Sequence, residues 1–504
     1  MLSLDVLPAD ILLRIAAALS LQDAISLSMV NQAFYTLSQE HSFWLEPLRT
    51  TRIIQPIPCA TTDDLTTRTT QNLKQLALHT LRLARNWRQP LPQITGPIKT
   101  FHCGVHNNIL YCLPGTDAIV LYSLIQGTVI CADVKTGATS TPMFVGRIFD
   151  MSSPLEELTS FTVAALVEDE RRVMAIVVLT ATIHPAVATR VVFTCDLDGG
   201  YVYNGIFMTS SVVGVARGMR GGTIEVQSFN LLRRELSTIV VTDRPPQAQA
   251  LGSTVIGDTV YFIILQSKDA FVEATSHASP PPPNADADAL PPALTRLDYC
   301  VLSTEPNHGR NTISVARNVT TDPLGRHTGH SLEITFWPRP SPSGSEDAGE
   351  GDEWERKRER ERAEGRKMQP AQTICIPGSL SNQPGTAWEL LVIANSGLEV
   401  VLVVDPPSDV ADAGPPANGD GDGDGEELEI GRPPTRPPAP KLLMARYDPL
   451  LHSVSLHELQ IPLDKEEPNL SLDTRGICAL ALDDHRGYVI VVTVHNVLHY
   501  IPYA

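Results

Sequence analysis

The sequence of 504 residues lacks the features that mark several common classes of protein. None of its eight cysteines forms a C-x-x-C pair, so neither a disulfide framework nor a zinc site is indicated. The most apolar run, residues 173–183, is far shorter than the roughly 20 residues that a membrane helix needs. The N-terminus also lacks the basic segment of a secretory signal. We therefore expect a protein of the cytoplasm, the nucleus or both, without a membrane partner.

Charge and motif content argue against two further functions. The chain has 57 acidic residues against 39 Lys and Arg, a formal net charge of −18, whereas a nucleic-acid-binding surface needs excess Lys and Arg. It contains no glycine-rich phosphate loop, no G-x-S-x-G motif and no evident pair of catalytic carboxylates. We therefore expect no nucleic-acid partner, no cofactor and no catalytic residues, and hence a protein that is not an enzyme.

Two groups of potential metal ligands do not have the spacing of known sites. The acidic tract from Asp420 imitates the start of an EF-hand calcium loop, but its twelfth position is Gly431 rather than glutamate. Residues 102–112 include two histidines and two cysteines at no standard zinc spacing. We expect Cys103 and Cys112 to be buried strand residues, because a free cysteine behaves as a small hydrophobe.

The first 97 residues have a helical pattern, and part of them resembles a known module. An acidic residue and an amphipathic helix follow a Leu-Pro pair, a second helix ends in a Val-Asn pattern with an aromatic residue, and a tryptophan closes the segment. This order is similar to that of the F-box family, and it is carried by Leu7, Pro8, Asp10, Leu19, Leu21, Val30, Asn31, Phe34 and Trp44. The alternative is a plain helical hairpin that packs on the domain that follows.

The resemblance implies a three-helix F-box in residues 1–50, followed by a helical linker in residues 51–97. Within that linker, the apolar pattern predicts one helix over residues 63–87, with the acidic pair Asp63 and Asp64 at its N-terminus. In this family the F-box binds a Skp-type adaptor, which links it to a cullin–RING ubiquitin ligase. The family's pattern places the following residues on the adaptor-binding face or directly beneath it: Leu7, Pro8, Ile11, Leu12, Leu19, Leu21, Leu27 and Val30. A module this small exposes more apolar surface than it can bury alone.

Residues 98–504 have a different composition and a different apolar pattern. Short segments rich in Val, Ile, Thr and Tyr alternate with Gly, Asp and Asn turns, which is typical of an all-β domain. A strand that ends in aspartate and turns on glycine recurs at Asp133, Asp196 and Asp483. These repeats resemble the blades of a β-propeller of the WD-repeat kind, although the Gly-His…Trp-Asp spacing is missing. Residues 479–500 would form the final blade, closed by a strand from the beginning of the domain.

The predicted fold class is therefore α + β and multidomain, with N-terminal helices and a β-propeller of about six to eight blades. A pair of β-sandwiches is the alternative for the β domain. Three segments are too rich in proline, glycine or charge to bury a core, and we expect them to be disordered loop insertions: residues 274–292, 338–370 and 405–440.

The resemblance implies a substrate-recognition subunit of an SCF-type ubiquitin ligase, whose β domain binds an unknown protein substrate. A propeller scaffold outside ubiquitin transfer is one alternative. A propeller enzyme is another, and it would need acids or metal ligands that converge in a central channel.

Overall fold

The computed structural model describes most of the helices and strands of the chain. The described residues are 7–60, 62–152, 154–157, 160–183, 186–218, 224–241, 248–256, 259–266, 269–276, 295–297, 312–319, 331–338, 372–377, 379–380, 391–394, 396–405, 441–449, 451–459 and 476–504.

Helices occupy the N-terminal part of the described chain. They are α1 (Ala9–Ala17), α2 (Leu21–Ser28), α3 (Gln32–Leu37), α4 (His41–Ile54), a 3-10 helix (Leu65–Thr67) and α5 (Thr70–Trp87). The region predicted to hold three helices thus holds four. The extra helix is α3, and Asn31 caps its N-terminus, because the Asn31 side chain accepts a hydrogen bond from the backbone N–H of Phe34 at 2.9 Å.

The predicted helix over residues 63–87 begins later than expected. Asp63 pairs with Arg68, and the side chain of Asp64 caps the 3-10 helix by accepting a hydrogen bond from the Thr66 N–H at 2.9 Å. Helix α5 begins only at Thr70, and Thr69 caps it, because its hydroxyl accepts a hydrogen bond from the Asn72 N–H. The acidic pair that was expected to begin a helix therefore stabilises the turn before it.

Strands begin at residue 99. The first is β1 (Lys99–His102), and the strands after it form successive antiparallel sheets. Sheet I comprises β2 (Asn108–Cys112), β3 (Ala118–Ser123), β4 (Thr128–Asp133), β5 (Ala138–Thr139) and β6 (Met143–Phe144). Sheet II comprises β7 (Arg147–Met151), β8 (Leu155–Glu156), β9 (Ser160–Glu168), β10 (Met174–Thr182) and β11 (Ala188–Asp196). Sheet III comprises β12 (Val202–Met208), β13 (Val212–Gly218), β14 (Ile224–Asn230) and β15 (Glu235–Val241).

The remaining strands continue this pattern. Sheet IV comprises β16 (Ala248–Ile256), β17 (Thr259–Gln266), β18 (Asp269–Ser276) and β19 (Thr295–Leu297), and sheet V comprises β20 (Thr312–Val319), β21 (Ser331–Pro338) and β22 (Gln372–Pro377). Sheet VI comprises β23 (Ser379–Leu380), β24 (Leu391–Ile393), β25 (Glu399–Asp405), β26 (Lys441–Asp448) and β27 (Ser453–Glu458). Sheet VII comprises β28 (Ile477–Asp483), β29 (Tyr488–Thr493), β30 (Val497–Pro502) and the early strand β1.

Sheet VII joins the two ends of the β region, because β1 pairs with β30 in the register Lys99 to Tyr500. Within the described residues there are thus seven sheets, each built from strands close in sequence, and the last is completed by the first strand. This is the strand order of a β-propeller. It confirms the predicted last segment and its pairing, and it does not fit a pair of β-sandwiches.

Adjacent sheets share buried apolar side chains. Sheet VII packs against sheet I, I against II, II against III, V against VI, and VI against VII. Helix α5 links this core to that of the helices, since Leu73 and Ala77 lie in the helical core and Leu83 and Trp87 in the core of sheets VI and VII.

Two other predictions concern turns and insertions. The turns at residues 133–137 and 483–487 are alike, each with a glycine at φ +74° that donates its N–H to the aspartate carbonyl at 2.8 Å. Strand β11 also ends at Asp196, as predicted, but the glycine turn that follows connects sheets II and III, so this copy is not a hairpin within one sheet. The predicted insertions lie outside the described residues, except that their ends at 274–276, 338 and 405 belong to strands.

Candidate protein-interaction site

The helices α1–α5, here called the helical unit, have a buried core of their own. Phe43 and Trp44 are fully buried and pack edge to face, with ring centroids 4.9 Å apart. The indole N–H of Trp44 donates to the carbonyl of Ser38 at 2.7 Å. The tryptophan that closes the predicted module therefore anchors α4 against α1 and α2 together with Phe43.

The predicted adaptor-binding residues divide into three groups. Pro8 is exposed, and so are Leu7, Ile11 and Val30, with 39%, 42% and 66% of their surface accessible. Leu19 and Leu27 are half-buried, whereas Leu12 and Leu21 are buried in the helical core. The start of α1 and the end of α2 thus both present apolar side chains to solvent, supported from beneath by buried leucines.

Sequence reasoning missed a further exposed apolar residue in this region. Met29, next to Val30, is 72% exposed where α2 ends. Its position directly after α2 could have predicted this exposure, because side chains beyond the end of a helix no longer lie on the apolar face that packs on the core.

The helical unit is fixed to the sheets along a contact that we call the seam. The segment before the 3-10 helix lies against two hairpin turns: a Cβ on Gly115 would lie 2.3 Å from the backbone of Cys59, and His485 donates from Nδ1 to the Ile57 carbonyl at 2.9 Å. From α5, the His79 ring donates from Nε2 to the carbonyl of Arg486 at 3.2 Å.

The centre of the seam contains buried charges from sheets VI and VII. Arg446 Nε donates to Glu399 Oε1 at 3.1 Å, and the Ser396 N–H donates to Asp484 Oδ2 at 3.0 Å. Burial raises the pKa of Glu399 to about 7, against the lowering effect of Arg446, and burial also raises the pKa of Asp484. Arg486 forms two ion pairs, one with Asp483 at 2.7 Å and one with Asp117 at 2.8 Å.

Other sequence candidates have structural roles. Cys103 and Cys112 are buried, as predicted, but only Cys112 lies in a strand, since Cys103 follows the end of β1. Burial raises the pKa of the Cys103 thiol to about 11. The His106 ring, also buried, lies 3.0 Å from the Thr128 hydroxyl. The acidic tract from Asp420 lies outside the described residues. Among the described residues, no group of three or more His, Cys, Asp or Glu could hold a metal ion, and no helix is long and apolar enough to cross a membrane.

No family model and no curated protein matches the chain. Among solved structures, the Cps50 (Swd1) β-propeller domain of Myceliophteria thermophila is 8% identical, with a TM-score of 0.42 over 81% of this chain and 99% of that chain. The WD40 domain of SCAP from fission yeast is 10% identical, with a TM-score of 0.37 over 77% and 82%. BamB from Moraxella catarrhalis is 8% identical, with a TM-score of 0.34 over 82% and 97%. The β-propeller fold is therefore assigned from the strand order of the chain itself, and membership of the F-box family stays a prediction.

Proposed function

We propose that the chain is a substrate-recognition subunit of an SCF-type cullin–RING ubiquitin ligase. The helical unit binds a Skp-type adaptor and the sheets bind a protein substrate. The observation that carries this proposal is the exposure of Leu7, Ile11, Met29 and Val30 on a unit whose core is otherwise well packed. Full burial of an exposed side chain of this kind contributes about 1.5–3 kcal/mol before the costs of association are subtracted. Leu7 and Ile11 contribute less than this, because only 39% and 42% of their surface is still accessible.

The seam supports the same role. Because α5 has side chains in both cores, a partner on the helical unit is held at a set distance from a protein bound to the sheets. A receptor of this kind does no chemistry of its own. It raises the effective concentration of the substrate near the ubiquitin-charged enzyme.

Co-purification of the full-length chain with a Skp-type adaptor tests the proposal. We expect the wild type to retain the adaptor and the double variant Leu7→Ala/Pro8→Ala to retain much less. Leu232→Ala is the control, since Leu232 is exposed in the turn between β14 and β15, away from the helical unit. If the wild-type chain retains no adaptor, the proposal is wrong.

A scaffold outside ubiquitin transfer uses the same exposed residues. Ubiquitination of a co-purified protein by the reconstituted ligase separates the two roles. The ligase role predicts ubiquitin transfer that depends on the chain, and the scaffold role predicts none.

A further inference from the structure

Two carboxyl groups face one small cavity in the middle of the seam. Glu399 of sheet VI and Asp484 of the turn after β28 line it together with Arg446, and helix α5 closes it with Thr80 and Trp87. Glu399 is 1% exposed and Asp484 is fully buried. Side chains from the helical unit and from two sheets thus meet around these carboxyl groups.

Hydrogen bonds satisfy the two groups unequally. Ser396 connects them, because its N–H donates to Asp484 Oδ2 at 3.0 Å and its hydroxyl donates to Glu399 Oε2 at 3.2 Å. Glu399 Oε1 also accepts from Arg446. Asp484 Oδ1 and the Trp87 indole N–H are buried and have no hydrogen-bonding partner among the described residues. Glu399 therefore has an arginine partner and Asp484 has none, and Asp484 Oδ1 accepts no hydrogen bond from the described residues.

His485 lowers the pKa of Asp484 against the larger effect of burial, but among the described residues no second arginine pairs with either carboxyl group. Arg486 is bound to Asp483 and Asp117, and Arg88, the residue after α5, is bound to Asp448 at 2.8 Å. Three histidines around the seam also have partners, since His79 and His485 donate to backbone carbonyls and His457 Nε2 lies 2.7 Å from the Ser455 hydroxyl. A second negative charge beside Glu399 would be buried without compensation.

We propose that Glu399 and Asp484 hold one proton between them at neutral pH, and that its release above neutral pH weakens the packing of α5 on sheets VI and VII. The direction follows from linkage. In the unfolded chain both groups ionise at their ordinary acidic pKa, while burial raises the pKa of both in the folded chain, that of Glu399 to about 7. The folded chain therefore holds more protons, and its stability falls as pH rises from the unfolded pKa through about 7.

The test compares the full-length wild type with Asp484→Asn at pH 6 and pH 8. Asparagine keeps an acceptor for the Ser396 N–H and removes the charge. We expect the wild-type melting temperature to fall between the two pH values more than that of the variant. Asp133→Asn, in the equivalent turn after β4, is the control and should keep the wild-type difference.

Amide exchange localises the effect. At pH 8, peptides from residues 80–87 should exchange faster in the wild type than in Asp484→Asn, while peptides from sheet II exchange equally. If Asp484→Asn does not fold, Glu399→Gln provides the same comparison. Equal pH dependence in the wild type and the folded variant, with equal exchange in α5, overturns the proposal. These readouts involve no adaptor, so they stand apart from the test of the proposed function.

Discussion

The side chain of Leu83 on α5 lies directly against Gly487 in the turn between β28 and β29. A Cβ placed on Gly487 would lie 2.3 Å from Leu83 Cδ1, closer than real side chains approach. This glycine also has a φ of +74°, a conformation that L side chains rarely adopt. One residue thus meets two separate demands, the shape of the hairpin and the approach of the helix.

A comparison of Gly487→Ala with Gly137→Ala should separate the effect of backbone strain from the effect of overpacking. The two glycines occupy equivalent positions in two similar turns and have the same φ, but nothing lies within 4 Å of a Cβ on Gly137. Both variants carry the backbone strain, and only Gly487→Ala is overpacked. We expect its free energy of unfolding, measured in urea, to fall about 1–3 kcal/mol further than that of Gly137→Ala. Equal losses would mean that Leu83 moves aside freely.

The buried pair of Glu399 and Arg446 should respond asymmetrically to mutation. Arg446→Met leaves Glu399 buried without its cation, and we expect a loss of about 3–5 kcal/mol in unfolding free energy. Adding Glu399→Gln to that variant should restore much of the loss, because the uncompensated charge is gone.

A matched control lies on the same strand, β26. Lys441→Met breaks an exposed ion pair with Glu458, and it should change stability by less than about 1 kcal/mol. A loss after Arg446→Met as small as that after Lys441→Met would contradict the account of the seam.

Much of the architecture was predictable because it depends on local patterns. Apolar periodicity predicted the N-terminal helices, and the strand-rich segment at residues 479–500 predicted the closing sheet. The turn at Asp133 predicted the equivalent turn at Asp483 from the same spacing of aspartate and glycine. A closing strand from the beginning of the domain was expected, but its position at residues 99–102 was not predicted, because β1 is short and mostly exposed and is stabilised by its pairing with β30.

The seam was not predictable in the same way. Ser396 and Asp484 are 88 residues apart, and Glu399 and Arg446 are 47 apart. Only packing of the sheets brings them together. The sequence predicted a glycine turn after Asp483, which the structure confirms, but it carried no sign that Asp484 lines a cavity with a second carboxyl group. Buried charge pairs of this kind depend on tertiary contacts that no local pattern encodes.

The central claim is that the exposed apolar residues of the helical unit bind a Skp-type adaptor. A titration of purified full-length protein with the purified adaptor tests it most directly, using Ile11→Glu and, as control, Ile125→Glu. Ile125 is 92% exposed in the turn between β3 and β4, at the opposite end of sheet I from the turn that contacts the helical unit. The account predicts saturable wild-type binding, at least about tenfold weaker after Ile11→Glu, or about 1.4 kcal/mol, and unchanged after Ile125→Glu. No binding by the wild type, or equal binding by all three proteins, would contradict it.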